Sequence, residues 1–315
     1  MRILVTGSAG FIGAHVVKEL TARGDEVVGI DNYNDYYDQK LKRDRVNFLR
    51  PNIVEYEIDI ADKEAVSKVF ENHRFDAICH LAAQAGVRYS LENPDIYISA
   101  NIIGTHNLLE QCRLHGIKKF IFASSSSVYG GNEKIPFSEN DLVDKPVSLY
   151  AATKKANELE AHSYFHLYGI NVVGLRFFTV YGPWGRPDMA LFKFVKAILK
   201  GDAIDVYNQG EMKRDFTYID DIVSGVLASI DYCQGYEIFN LGNNNPVDLK
   251  DFISVIEEAL GIHAVRNYLP LQPGDVVKTY ANIDKAKSIL EWTPKTDIRS
   301  GIERFVEWYK SYYKV

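Results

Sequence analysis

Two side chains in Ser148-Leu149-Tyr150-Ala151-Ala152-Thr153-Lys154 have a spacing that can do chemistry: Tyr150 and, four residues on, Lys154. In a helix, residues at i and i+4 stack on one face. An ammonium then sits beside a phenol near the dipole-positive helix end. A free tyrosine titrates near pH ~10, and a neighbouring cation favours its ionised form. Tyr150 can then accept a proton near neutrality, with Lys154 as electrostatic helper. Taken alone, the pair is equally a surface tyrosine packed on a lysine stem. The sequence upstream separates the two.

The elements that must position this pair alternate between strand and helix. Arg2 to Thr6 reads as a short apolar strand, followed by Gly7-Ser-Ala-Gly10-Phe11-Ile12-Gly13 and a helix to about Arg23. Strand, glycine loop and helix make a phosphate site from backbone N–H groups and the helix dipole. A second strand, Glu26 to Ile30, ends at Asp31. A carboxylate there suits the hydroxyls of an adenosine ribose and repels a 2′-phosphate, which favours NAD over NADP. Further strands are expected at 53–58, ending on Asp59-Ile60, at 76–80, at 118–123 and at 171–176. Helices are expected at 63–72, as one long helix with Asn101 inside it at 95–115, and from Tyr150 to Tyr168. Small residues Ala82-Ala83-Gln84-Ala85-Gly86 follow one strand, and Ser124-Ser125-Ser126-Ser127 ends another. This order predicts an α/β, Rossmann-like doubly wound parallel sheet, with ligands at the carboxyl ends of its strands.

Past Arg176 the chain changes character. Phe177-Phe178-Thr179-Val180-Tyr181-Gly182-Pro183-Trp184-Gly185-Arg186-Pro187 clusters aromatic, Gly and Pro residues, the mark of a rigid loop. Helices are expected at 189–200, 222–232, 249–260 and 300–313, with a turn at Gln272–Asp275. The expected division is a dinucleotide-binding domain over 1–176 and a smaller C-terminal α/β substrate-binding lobe over 177–315, the segments interleaved.

A chain of 315 residues suffices for such a unit, and 46% hydrophobic with 25% charged residues is ordinary for a soluble globular protein. A net charge of −6 gives no electrostatic case for nucleic acid or membrane surfaces. No stretch is long and apolar enough to span a bilayer, and the first residues form no secretory signal. Cys79, Cys112 and Cys233 are scattered without metal-ligand spacing. Buried thiols in a reducing cytoplasm are expected, with no metal.

Together Gly7/Gly10/Gly13, Asp31, Asp59-Ile60, His80-Leu81-Ala82-Ala83, the Ser124–Gly130 run, Tyr150/Lys154 and Arg214-Asp215 resemble the extended short-chain dehydrogenase/reductase superfamily over essentially the whole chain. Within it the chain is similar to the NAD-dependent nucleotide-sugar epimerases and dehydratases, and looks most like the UDP-glucuronate 4-epimerases. The stretches that carry this are Asp31-Asn32-Tyr-Asn-Asp-Tyr-Tyr-Asp38, Gly86-Val-Arg88, Arg176-Phe-Phe-Thr-Val-Tyr-Gly-Pro183, Arg186-Pro-Asp-Met-Ala190 and Gln272-Pro-Gly-Asp275.

The resemblance implies a catalytic triad of Ser125, Tyr150 and Lys154. Tyr150 would take the proton of the sugar 4-hydroxyl, Ser125 would bond the same oxygen, and Lys154 would bind nicotinamide ribose and depress the Tyr150 pKa. Hydride would pass to NAD and return to the other face of a rotated 4-keto sugar. The implied NAD contacts are Gly7, Gly10, Phe11, Ile12, Gly13, Asp31, Asn32, Asp59, Ile60, Leu81, Ala82, Ala83 and Asn101, with Tyr150 and Lys154. A homodimer through helices near Asp95 and Ser148 is implied as well.

The sister 4,6-dehydratases carry an Asp-Glu pair where this chain has Ser126 and Ser127, and the UDP-xylose-forming decarboxylases have a Glu at the second position. Neither serine supplies acid–base chemistry at neutral pH, so elimination is not expected. A 4-keto uronate is a β-keto acid, and an epimerase must hold its carboxylate away from the orientation that loses CO₂. Ser126, Ser127, Thr179, Arg88 and Arg186 can supply the donors, by analogy with the resembled family. Arg88 and Arg186 both stand open as the cation at the carboxylate. Arg214 is expected at the diphosphate and Asp275 at the sugar nucleotide. Gln272 stands where hexose 4-epimerases tend to have Arg. The rivals are a 4-epimerase of UDP-glucose or a UDP-N-acetylhexosamine, and a non-catalytic NAD-binding regulator.

Overall fold

Near-continuous apolar runs along short segments dictate a sheet buried on both faces. In the computed structural model, which describes residues 1–272 and 276–315, that sheet has seven strands. In chain order the elements are β1 (Arg2–Thr6), α1 (Phe11–Ala22), β2 (Glu26–Asp31), α2 (Gln39–Leu49), β3 (Val54–Glu57), α3 (Lys63–Asn72) and β4 (Ala77–His80). There follow α4 (Tyr89–Glu92), α5 (Pro94–Tyr97), a π-helical stretch over Ile98–Ile103, α6 (Gly104–His115), β5 (Lys119–Ser125), a 3₁₀ turn at Ser126–Tyr129, α7 (Leu149–Tyr168) and β6 (Asn171–Phe177). The rest is β7 (Thr179–Tyr181), α8 (Ala190–Lys200), β8 (Ile204–Tyr207), β9 (Lys213–Arg214), β10 (Phe216–Tyr218), α9 (Ile219–Tyr232), β11 (Tyr236–Leu241), β12 (Val247–Asp248), α10 (Leu249–Leu260), β13 (Arg266–Leu269), α11 (Asp284–Ile289) and α12 (Ile298–Tyr313).

The sheet order is β11-β6-β5-β4-β1-β2-β3, every pair parallel. Because side chains alternate along a strand, Ile3 and Val5 enter one core and Leu4 the other. The chain winds outward from β1 through β2 and β3, then crosses to β4 and winds the other way. The crevice between β1 and β4 is therefore the switch point where such sheets bind ligands. At that point the N–H of Leu81 bonds the carbonyl of Thr6 at 3.1 Å, which sets the two strand ends side by side.

Three features depart from the sequence expectation. The helix expected over 95–115 is interrupted by the π-helical stretch, which puts Asn101 on a locally widened turn. Helix α2 forms on a polar run because Asp38 caps it, accepting the Lys40 N–H at 2.8 Å, and because Leu41 and the aliphatic stems of Lys42 and Arg45 are buried. Strand β11 was not anticipated; it returns from the C-terminal half to pair with β6, Tyr236 opposite Val172 through Leu241 opposite Phe177. The remainder of that half gathers into three two-stranded pieces, β10 with β7, β12 with β9 and β13 with β8.

Candidate active site

The glycine loop is shaped by contacts that no side chain would permit. Gly7 has φ +70, and a Cβ on it would lie 2.8 Å from the Ala82 nitrogen; one on Gly13 would lie 2.0 Å from the Gly7 carbonyl oxygen. Backbone thus lies bare at the crevice, with Phe11 and Ile12 opening α1 beside it. The carboxylate of Asp31, at the end of β2, accepts the N–H groups of Ala9 at 3.1 Å and Tyr33 at 2.8 Å. Burial raises its pKa and these two N–H groups oppose the shift. Asn32 donates to Asp59 at 2.9 Å, which joins the loops after β2 and β3.

One residue of this wall carried no sequence signal. Lys42, buried on α2, donates to the carbonyl and side-chain oxygens of Asn34 at 2.7 and 2.6 Å. Its cation lies beside Asp31, while burial pulls its pKa down. A lone lysine in a polar helix looks like any solvated charge. Gly7, Gly10, Gly13, Asp31, Asn32, Asp59, Ile60, Leu81, Ala82 and Ala83 line one continuous cleft of about 810 Å³ that also reaches Ser125, Tyr150 and Lys154. A bare backbone cradle, a ribose-facing carboxylate and a polar far end in one channel fit a dinucleotide such as NAD.

Helix α7 starts where Ser148 accepts the Ala151 N–H at 3.2 Å, which places Tyr150 on its first turn. Ser125, the last residue of β5, lines the same cleft, and its hydroxyl acts to lower the phenol's pKa. Lys154 is buried one turn on, and its Nζ donates to the Ala123 carbonyl at 2.7 Å. Burial brings the Lys154 ammonium down to about 7. Burial also pushes the Tyr150 phenol up, against the Ser125 hydroxyl and the Arg186 cation, with Asp188 adding to the rise. The cation that favours the phenolate here is Arg186, from a different loop.

Asn101 stands behind the cleft. It is fully buried and absent from the cleft wall. Its side-chain oxygen accepts the Gln84 N–H at 2.8 Å, and its amide donates to the Gln84 carbonyl at 3.1 Å and to Thr153 Oγ1 at 3.0 Å. It braces the loop after β4 against α7. Behind it runs a chain from Thr6 through His80 and Thr105 to the Asn101 carbonyl, at 2.7, 3.0 and 2.6 Å. Thr105 has one hydroxyl proton and gives it to that carbonyl, so His80 Nε2–H is the donor to Thr105 and Nδ1 accepts from Thr6.

The sugar end of the cleft is lined by Ser126, Ser127, Thr179, Arg88, Arg186 and Arg214. The Ser127 hydroxyl donates to Ser125 Oγ at 2.9 Å. Arg88 stacks its guanidinium over the Tyr207 ring, 4.9 Å from the centroid. Arg214 donates to the carbonyls of Lys213 and Val277 at 3.0 and 3.1 Å. Arg186 grips Asp188 through Nε at 3.0 Å and Nη2 at 2.5 Å. The turn expected at Gln272–Asp275, with Asp275 as a site residue, lies outside the described residues apart from Gln272. Arg45 ties the two ends of the cleft together: fully buried, it donates to the Ala9 carbonyl at 2.7 Å, to Tyr37 Oη at 3.1 Å and twice to the Trp184 carbonyl, at 3.1 and 2.8 Å.

A doubly wound sheet with a dinucleotide crevice opening on a Ser-Tyr-Lys constellation defines a class, and the sequence falls within it: the chain belongs to the NAD dependent epimerase/dehydratase family, whose model matches residues 3–242. Among relatives, UDP-glucuronate 4-epimerase 2 of Arabidopsis thaliana is 50% identical over 331 residues, covering 99% of this chain and 76% of that protein. The crystal structure of UDP-glucuronic acid 4-epimerase from Bacillus cereus, in complex with UDP-glucuronic acid and NAD, matches with TM-score 0.93 at 36% identity, covering 99% of this chain and 100% of the other. UDP-glucose 4-epimerase from Thermotoga maritima, with UDP-glucose, matches with TM-score 0.91 at 34% identity over 99% and 100% of the two chains.

Proposed function

We propose that this chain is an NAD-dependent 4-epimerase of UDP-sugars that interconverts UDP-glucuronate and UDP-galacturonate. The observation that carries this is a Ser-Tyr-Lys site facing a sugar end with hydroxyl and guanidinium donors and no carboxylate at Ser126 or Ser127. Likeness to the Arabidopsis and Bacillus cereus UDP-glucuronate 4-epimerases supports the uronate.

NAD, when bound, supplies the acceptor and later the donor of the C4 hydride. Tyr150 takes the proton of the 4-hydroxyl as the hydride leaves C4, and returns one when hydride comes back to the other face. Ser125 holds the same oxygen through both steps. Lys154 lies on the nicotinamide-ribose path and contributes its charge near its own pKa of about 7. Ser126, Ser127, Thr179 and Arg186 hold the C6 carboxylate during the keto stage; Arg88, stacked on Tyr207, and Arg214 line the same cleft.

The test is NMR of UDP-glucuronate with the holoenzyme. UDP-galacturonate with C6 retained is the expected product. Conversion of UDP-glucose alone would make it a hexose epimerase, and a pentose product would make it a decarboxylase. No change in any UDP-sugar would favour a non-catalytic regulator. If Thr179→Ala or Ser127→Ala lets some substrate lose CO₂ while epimerisation slows, those hydroxyls hold the carboxylate. Loss of a hydrogen bond to a charged group, about 1.5–3 kcal/mol, is enough to free it.

The working unit is a homodimer. Helices α6 and α7 pack together, and Leu159 and Leu167 on α7 stay 61% and 64% exposed, with Ile103, just before α6, exposed as well. Large apolar residues on adjacent helices suit a partner copy of the same pair. Free, buried cysteines support a reducing, cytoplasmic setting. Among the described residues, no helix is long and apolar enough to cross a membrane.

A further inference from the structure

The stretch Asp31–Asp38 carries tyrosines besides its carboxylate, and Tyr36 and Tyr37 line the cleft. Tyr36 is one of them, and it reaches across the cleft: its phenol donates to Asp188 Oδ2 at 3.1 Å. The position is built for it. A Cβ on Gly86 would lie 2.6 Å from Tyr36 Oη, and the Tyr89 ring lies 4.8 Å from that of Tyr36. Asp188 in turn receives the Arg186 fork described above, so both its oxygens are committed to fixed donors. Arg186 lines the sugar end beside Tyr150, whose ionisation its charge favours.

From this geometry we infer that Asp188, locked in place by Tyr36, is a specificity-determining counter-charge. It fixes the direction of the Arg186 guanidinium toward the sugar C6 group and cancels most of its net charge. This rests on the uronate assignment above. Its logic is that an enzyme whose intermediate must turn over inside the cleft gains nothing from gripping the carboxylate equally tightly throughout. Uniform binding lowers KM without raising kcat. An uncovered arginine would grip in that way. The Asp188 pairing leaves an oriented N–H edge of Nη1, outside the fork, without a bare charge.

Binding and turnover should therefore move in opposite senses in Asp188→Asn. In competition on the holoenzyme, UDP-glucuronate should bind at least about tenfold more tightly relative to UDP-glucose, as expected for removing one negative charge a few ångströms from the carboxylate. Its kcat should fall about tenfold, since the guanidinium is no longer aimed. Arg186→Gln should shift the same affinity ratio the other way. Tyr36→Phe should change the ratio in the unmutated background and leave it unchanged once Asp188 is Asn, the signature of acting through Asp188. Weaker uronate binding in Asp188→Asn, or an equal change for both sugars, overturns the proposal and leaves Asp188 a scaffold residue. If the unmutated enzyme shows no preference for the uronate and does not epimerise it, the substrate assignment itself fails, and this proposal with it.

Discussion

Burial acts on Tyr150 and Lys154 in opposite senses, raising the phenol and lowering the ammonium, so each is drawn toward its neutral form. The phenol regains acidity from Ser125 and Arg186, which favour its ionised form and which the Tyr150–Lys154 spacing does not reveal. Tyr150→Phe removes the proton acceptor and little volume, so turnover should fall ~10²–10⁴-fold, the range for a general base. NAD retention, read from protein-bound absorbance, should survive; a variant keeping above about a tenth of its activity removes Tyr150 from the role. A second effect at this scale belongs to pH. Burial brings His80 down to about 3 and His15 to about 4. Both stay neutral in the native state while the unfolded chain protonates them below its ordinary value of 6.5. Stability is then full above about pH 6.5 and falls as pH drops toward the folded values, by about 2 kcal/mol per histidine at pH 5. Urea unfolding at pH 7.5 and 5 should show this, and His80→Gln should remove about one histidine's share of the difference. An unchanged pH difference in that variant would refute the assignment.

At the scale of elements, α7 is held to β6 by a buried ion pair. Glu158 accepts Arg176 Nε and Nη2, both at 2.9 Å, and also the Ser124 hydroxyl at 2.7 Å. Arg176 lies over the Tyr129 ring, whose phenol donates to Asn240 on β11 at 2.7 Å. Arg176→Leu leaves the buried Glu158 carboxylate only Lys155 Nζ, at 3.1 Å, and the Ser124 hydroxyl, and should cost up to about 3–5 kcal/mol; adding Glu158→Leu should recover a large part of it. Equal losses in the single and double variants, by urea unfolding, would show that the pair contributes only packing. What was legible beforehand follows from the kind of signal. The glycine loop, Asp31 and the serine run are local patterns attached to strand ends, so their place in the crevice could be read from order alone. Tyr36, Lys42 and Arg45 act through partners ~8–150 residues distant in the chain, and Asp188, though two residues from Arg186, takes its other donor from Tyr36 across the cleft, a pairing that nothing local marks. Asn101 stands inside a helix in the sequence, and the π-helical turn it occupies is not marked by its neighbours. Strand β11 was hidden by a Glu and an Asn in a short run, each of which has a specific buried or edge partner in the fold.

For the molecule as a whole, Leu159→Asp or Ile103→Asp should turn a dimer into monomers by light scattering without altering the monomer's helix content. A variant that stays dimeric would place the contact elsewhere. Both residues are exposed, Leu159 on α7 and Ile103 at the end of the π-helical stretch before α6, so charge there costs the isolated subunit little. The return of β11 to the sheet beside β6 has a different consequence, for how new specificities arise. Cutting the chain after residue 176 removes an edge strand from the central sheet and strips α9 from α1. Neither half is a cassette. Recombination between relatives at that point would join a sheet to a foreign edge, mismatching the Tyr129–Asn240 and Phe137–Ala281 contacts along with the sugar loops. Lineages built on this plan are therefore expected to change sugars by single substitutions around Arg186, Thr179 and the serine turn, and hybrid chains to fail in refolding before any question of substrate can be asked.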